Sequence, residues 1–204
     1  MTAPPNPSQE QAVLALAQER SLLRARDLAE RSLPTVALTR LVAAGKLERV
    51  ARGVYSLPGR ALSEHRSLAE VSLRVPQGVV CLLSALRLHG IGTQAPFEVW
   101  LAIPHHFPTP RLDQPALRAV RMSGPAMTEG IERVLIDGID VPVFNAEKTV
   151  ADCFKYRNKI GAEIAVEALK DYLKQHPRGA DALWRFAKVC RVSNVMRPYL
   201  EAAG

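Results

Sequence analysis

Thr35, Thr39 and Arg40 recur at helical spacing, so a helix running through them presents two short hydroxyls and a guanidinium on one side. Such groups hydrogen-bond phosphate oxygens and base edges, and a helix fits the major groove. Two further guanidinia, Arg49 and Arg52, lie in the alternating run that follows. With Arg52-Gly53 as the two-residue link of a hairpin, they stand at the edge and tip of a β-ribbon, where a cation meets a phosphate backbone. Thr35, Thr39, Arg40, Arg49 and Arg52 are therefore the candidate DNA-binding set. The competing reading of the same residues is a small helical domain whose basic hairpin is only solvated.

The elements that must position this set lie between Arg24 and Leu57, RARDLAERSLPTVALTRLVAAGKLERVARGVYSL. A first helix is expected from about Arg26 to Arg31, with Leu28 and Ala29 as its apolar side. Leu33 precedes Pro34, which pushes it out of the helical region and makes a turn. Pro34 suits a first helical position, and the helix it opens places Leu38, Leu41 and Val42 on one face, with Gly45 as its stop. In the hairpin, Ala51 should pair with Val54 and Val50 with Tyr55. Val50, Tyr55 and Leu57 then share a core-facing side, opposite Arg49. Helix, turn, helix and Gly-tipped hairpin in that order make a winged helix-turn-helix.

The chain is longer than such a domain needs. Its 204 residues suit one or two domains, and 48% apolar with 23% charged residues is ordinary for a globular protein. Only 5% is aromatic, so the core must be aliphatic. The net charge of +7 favours a polyanionic partner, although acids are interleaved with the Lys and Arg and no basic tract forms. Cys81, Cys153 and Cys190 are odd in number and far apart among aliphatic residues, which argues for reduced core thiols rather than a disulfide framework or a metal site. The start, MTAPPNPSQEQ, lacks the basic and apolar regions of a leader, and nowhere do about 18 uncharged apolar residues run together. A soluble cytoplasmic protein with no membrane association is the expectation.

In order along the chain, residues 1 to 7 with their prolines should be a loose tail, after which Ser8 and Gln11 suggest a capping box for a helix through Val13, Leu14, Leu16 and Ala17. Leu57-Pro58-Gly59 ends the wing and places a domain boundary near residue 60. The expected division is 1–60 for the winged domain and 61–204 for an α+β domain of about four strands and several helices. Helices are expected from His65 to Arg74 and across VVCLLSALRLHG, where Val80, Leu83, Leu86 and Leu88 would be buried and Gly90 is the stop. FEVWLAIP and LRAVRMS read as strands, and IERVLIDGIDVPVF as two strands joined by Asp137-Gly138. Asn145 should cap the helix AEKTVADCFKYR, with Val150, Cys153 and Phe154 inward. Ile164, Ala165, Ala168, Leu169, Tyr172 and Leu173 form the stripe of the next helix, and two shorter helices cover about Asp181 to Val189 and Asn194 to Glu201.

Other chemistry finds little support. Glu147, Lys148 and Asp152 cluster at a helix start, but the two carboxylates are five residues apart, about 140° around a helix, and do not converge. Capping and packing are the simpler roles, and Asp137 and Asp140 flank a turn that favours Asp. His105 and His106 are adjacent on an extended stretch and point oppositely, which does not suit one metal. Gly90-Ile91-Gly92 lacks the third glycine of a dinucleotide loop, no phosphate loop is present, and Ser84 has no nucleophile elbow around it. No enzyme activity, cofactor or metal is expected.

RDLAERSLPTVALTRLVAAGKLERVARGVYSLPG followed by VVCLLSALRLHGI, then FNAEKTVADCFKY before an amphipathic helix, resembles the AbiEi family of antitoxins of type IV toxin-antitoxin systems. The most specific pieces are Arg52 to Tyr55 and Asn145 to Asp152. The resemblance implies an N-terminal winged domain that represses its own operon by binding inverted repeats in operator DNA. It also implies a C-terminal domain that antagonises a cognate nucleotidyltransferase toxin encoded beside it. Two other readings stay open at this point: a stand-alone DNA-binding regulator, and a nucleic-acid enzyme whose sheet carries the acids.

Overall fold

A computed structural model describes residues 7–20, 22–51, 53–59, 63–112 and 114–202. The expected tail before Pro7 and the hairpin-tip residue Arg52 lie outside the described residues. The chain divides into two compact units, one taking in the chain up to Glu70 together with Leu135–Ile139, the other Val71–Val134 and Asp140 onward.

In the first unit, α1 (Pro7–Glu19), α2 (Ala25–Ala29) and α3 (Val36–Ala43) are joined by three short strands, β1 (Leu23–Arg24), β2 (Glu48–Ala51) and β3 (Val54–Ser56). Val13, Leu16 and Ala17 of α1, Leu28 of α2 and Ala37, Leu38 and Leu41 of α3 meet Leu23 and Leu47 in one aliphatic core. Helix α1 begins one residue before Ser8, which therefore stands in the first turn rather than at the cap. Helix α2 is shorter than expected: Ser32, at φ 53°, ends it in the left-handed region, and the Leu33 N–H reaches back to the Leu28 carbonyl at 2.8 Å. Ala29 is exposed, and the residue buried beside Leu28 is Asp27. Helix α3 starts two residues after Pro34, and Gly45 at φ 66° closes it in a Schellman turn with Lys46 N–H to Leu41 O at 2.9 Å.

The three strands form an antiparallel sheet in the order β1-β3-β2. Ala51 lies opposite Val54, as expected, but a bulge between Arg49 and Ala51 puts Arg49, not Val50, opposite Tyr55. Directly paired residues share a face, so Arg49 stands beside Tyr55 rather than across the sheet from it. Along β3 the buried positions are Val54 and Ser56, while Tyr55 and Leu57 are half-buried against the helical core. The strand absent from the expected pattern is β1, a two-residue piece that pairs with the free edge of β3 and so makes β3 central.

Helix α4 (Arg66–Arg74) leads into a second sheet. Its strands are β4 (Val79–Val80), β5 (Val99–Pro104), β6 (Leu117–Met122), β7 (Ile131–Ile136) and β8 (Ile139–Phe144), in the order β6-β5-β4-β8-β7. It is a mixed sheet: β4 runs antiparallel to β5 and parallel to β8, and β5 runs parallel to β6. Five strands, not about four, result because Val79–Val80 leaves the expected helix and becomes the strand between β5 and β8. What remains of that helix is α5 (Leu82–Leu88), with Leu82, Ser84, Ala85 and Leu86 buried, Leu83 and Leu88 half-buried, and Gly90 at φ 64° ending it. Asp137 and Gly138, at φ 50° and 78°, make the tight β7–β8 turn that an Asp-Gly pair favours.

Helices α6 (Pro125–Thr128), α7 (Ala146–Lys155), α8 (Arg157–Ile160), α9 (Ala162–Gln175), α10 (Ala180–Val189) and α11 (Ser193–Glu201) complete the second unit. The Asn145 side chain accepts the Lys148 N–H at 2.9 Å and caps α7. Val150, Cys153 and Phe154 of α7, Leu169 and Tyr172 of α9 and Leu183 and Phe186 of α10 pack with Trp100 and Ala102 of β5 in one large core. The fold is α+β throughout.

Candidate nucleic-acid interface

Helix α3 is amphipathic in the sense required of a recognition helix. Ala37, Leu38 and Leu41 are buried and Val42 half-buried, whereas Thr35, Val36 and Thr39 are exposed and Arg40 is partly so. Thr35 sits at the helix start without a side-chain capping bond, which leaves its hydroxyl available. Arg40 makes no ion pair among the described residues. Thr35, Thr39 and Arg40 thus share the outward face, as their spacing predicts. The sequence reading passed over Val36. At 44% exposure it is a large apolar side chain left in solvent between two threonines, and a branched methyl pair there suits contact with a thymine methyl.

Arg49 is exposed on β2, and the bulge beside it bends its strand. Gly53 adopts φ 74° with open space around its missing Cβ, so the hairpin needs glycine there for its backbone and not for room. Lys46, just past the Gly45 turn, is a further exposed cation on the same helix-to-wing link.

The start of α2 is fixed by a charge clamp that the sequence reading did not single out. Asp27 is buried in the first turn of α2 and accepts the Arg24 N–H at 2.8 Å and the Arg24 guanidinium at 2.6 Å. Arg20 lies 3.4 Å away. Burial alone would raise this carboxyl, but the Arg24 hydrogen bonds and the two guanidinia hold it below its ordinary range. The signal was present as an acid three residues after Arg24 at a helix start, which is the capping-box spacing with an unusual partner.

The acids weighed for catalysis are structural in placement. Glu147 accepts the Tyr172 hydroxyl at 3.0 Å, while Asp152 is buried with Lys148 Nζ at 2.5 Å and receives the Cys190 thiol at 3.2 Å. The carboxylates point to different partners and do not converge. Burial raises the Asp152 carboxyl, and Lys148 pulls it back. Burial likewise pushes up the Cys81, Cys153 and Cys190 thiols, which suits packed, unreactive cysteines. The His105 and His106 rings meet edge to face at 5.1 Å, and among the described residues no three His, Cys, Asp or Glu side chains gather around a metal position.

Residues 11–58, which contain the helix-turn-helix and its wing, match the family model described as "Transcriptional regulator, AbiEi antitoxin". The match covers this segment alone, about a quarter of the chain. The chain also resembles the crystal structure of the RV2827C protein from Mycobacterium tuberculosis, with a TM-score of 0.60 over 99% of this chain and 79% of that chain at 17% identity. That likeness shows a shared fold extending well beyond the matched segment. No curated protein matches the sequence. The matched segment contains the exposed side of α3 and the exposed Arg49 of β2. No described helix is long and apolar enough to cross a membrane.

Proposed function

We propose that this protein represses its own operon through the matched segment and, through the second unit, neutralises a nucleotidyltransferase toxin encoded beside it. The observation that carries the reading is the outward face of α3, where Thr35, Val36, Thr39 and Arg40 stand clear of a buried Ala37, Leu38 and Leu41 within the segment matched to AbiEi regulators. Thr35, Thr39 and Arg40 contact inverted repeats in the major groove, and Arg49 and Arg52 contact the backbone beside it. The net charge of +7 supports a polyanionic partner.

The division of labour falls near residue 60, with residues 1–60 reading DNA and 61–204 serving the antitoxin role. Support for the second half is its own core, built around Trp100, Phe144, Phe154 and Tyr172, which is large enough to present a rigid surface. The protein acts in the cytoplasm and is not an enzyme. The test uses the full chain carrying Thr39→Ala and Arg40→Ala, co-expressed with the neighbouring toxin and a reporter driven by its promoter. The expected outcome is lost repression with growth rescue intact. Loss of rescue along with repression, in a variant that melts like the parent, overturns the division; unchanged repression overturns the DNA-binding face.

A further inference from the structure

The second unit holds a cavity of about 500 Å³, within the size range of small-ligand sites. Its walls come from β6, α6, α7 and the end of α10, and four cations line it: Arg121, Lys155, Lys188 and Arg191. Two carboxylates also line it, and both are already engaged. Asp152 is held by Lys148 and Cys190, and Glu129 lies 3.5 Å from Arg185. Arg121 is fixed differently, donating to the carbonyls of His105 and Phe107 at 2.6 and 2.7 Å and to the Thr109 hydroxyl at 2.9 Å. Among the described residues it has no carboxylate partner. Lys155, Lys188 and Arg191 are exposed and make no ion pair among the described residues.

Arg191 adds a second kind of observation. Its backbone is at φ 57°, in the left-handed region, where it closes α10 with Val192 N–H to Ala187 O at 2.8 Å. Glycine is the ordinary residue for that position. An arginine held there in strain, at the wall of a cavity with three other cations, points to a use for its guanidinium. Met122, Ala126 and Tyr156 add apolar surface to the lining. Tyr156 is anchored by its hydroxyl to the Arg121 carbonyl at 3.1 Å.

We propose that this cavity binds a phosphate-bearing nucleotide, with Lys155, Lys188 and Arg191 on the phosphates and Tyr156 and Met122 beside the base. Guanidinium and ammonium groups together favour a doubly charged oxyanion, and an anchored aromatic ring gives a base a face to stack on. The nucleotide can be free or belong to an RNA strand, since the recognising chemistry is the same. The proposal stands apart from the antitoxin reading and does not depend on it.

The experiment is calorimetric titration of the full chain with pyrophosphate, ATP, CTP and a short single-stranded RNA. It compares the parent with Arg191→Gly and with the Lys155→Gln, Lys188→Gln double variant. Glycine relieves the left-handed strain, so Arg191→Gly should melt no lower than the parent while binding at least about tenfold more weakly. The lysine double variant should lose a similar factor. Binding of ATP or CTP assigns the site to a free nucleotide; binding of RNA alone, weakened in both variants, assigns it to a strand. Operator binding by the same variants should be unchanged, which keeps this result separate from the regulator reading. No binding of any probe at millimolar concentration, or binding that neither variant weakens, overturns the proposal.

Discussion

The two units each bury one aspartate against a cation, and they do it in opposite ways. Asp27 in the first unit meets Arg24, whose side chain is 18% exposed, and Arg20, which is 34% exposed, so its partners keep their own hydration. Asp152 in the second unit meets Lys148, whose side chain is fully buried among Phe144 and the helices of the large core. The first carboxyl is held low by its guanidinia, and the second is raised by burial. A small unit with a thin core can thus pin a helix with a buried carboxylate whose cations stay partly in water. Only the larger one encloses both charges, where each depends on the other to be tolerated at all.

The strongest way to break this contrast is to remove half of the enclosed pair. Asp152→Ala leaves an ammonium unpaired in apolar surroundings and should destabilise the second unit by about 3–5 kcal/mol. Replacing both partners, Lys148→Met with Asp152→Leu, should recover much of that loss in a thermal melt. A single variant that melts like the parent would mean that Lys148 reaches water.

Next in size is the Asp27 clamp. Asp27→Ala removes charge-assisted hydrogen bonds at the start of α2 and should cost about 1.5–3 kcal/mol, with operator affinity falling as the helix-turn-helix loosens. Its pH signature has a definite sign. A carboxyl held below its ordinary 3.8 contributes stability that is complete above that value and is lost as pH falls through the lower folded-state value. The acid limb of the stability curve should therefore be shallower in Asp27→Ala than in the parent.

Arg40→Ala tests the recognition face, with an expected loss of about 1–3 kcal/mol for the preferred operator and relaxed sequence choice in gel shifts. Arg52→Ala should instead weaken all sequences alike and lower the salt slope by about one. The smallest expected effect is on folding in Gly53→Val, which forces a β-branched side chain to φ 74° and should cost about 1–2 kcal/mol. Its operator affinity should drop further than its melting point suggests, because the wing tip is displaced. Normal affinity would place the functional turn elsewhere.

The amino-acid sequence by itself determined whatever depends on neighbours a few residues apart. Gly45 and Gly90 as helix stops, Gly53 and Asp137-Gly138 as hairpin links, Asn145 as a cap and the outward spacing of Thr35, Thr39 and Arg40 are all local signals, and each stands where it was read. The tertiary structure alone decided the rest. Val79–Val80 became a strand because β5 and β8 offer edges on both sides, a choice that the continuous apolar run VVCLLSALRLHG does not encode, since burial erases its period. The bulge that brings Arg49 opposite Tyr55, the burial of Asp27 and the enclosure of Lys148 with Asp152 and Cys190 depend likewise on three-dimensional packing. So does the cavity, whose four cations come from β6, α7, the end of α10 and the turn after it. Their joint field exists only once the sheet and helices have brought Arg121 and Arg191 to one site, and no pattern along the chain records that distance.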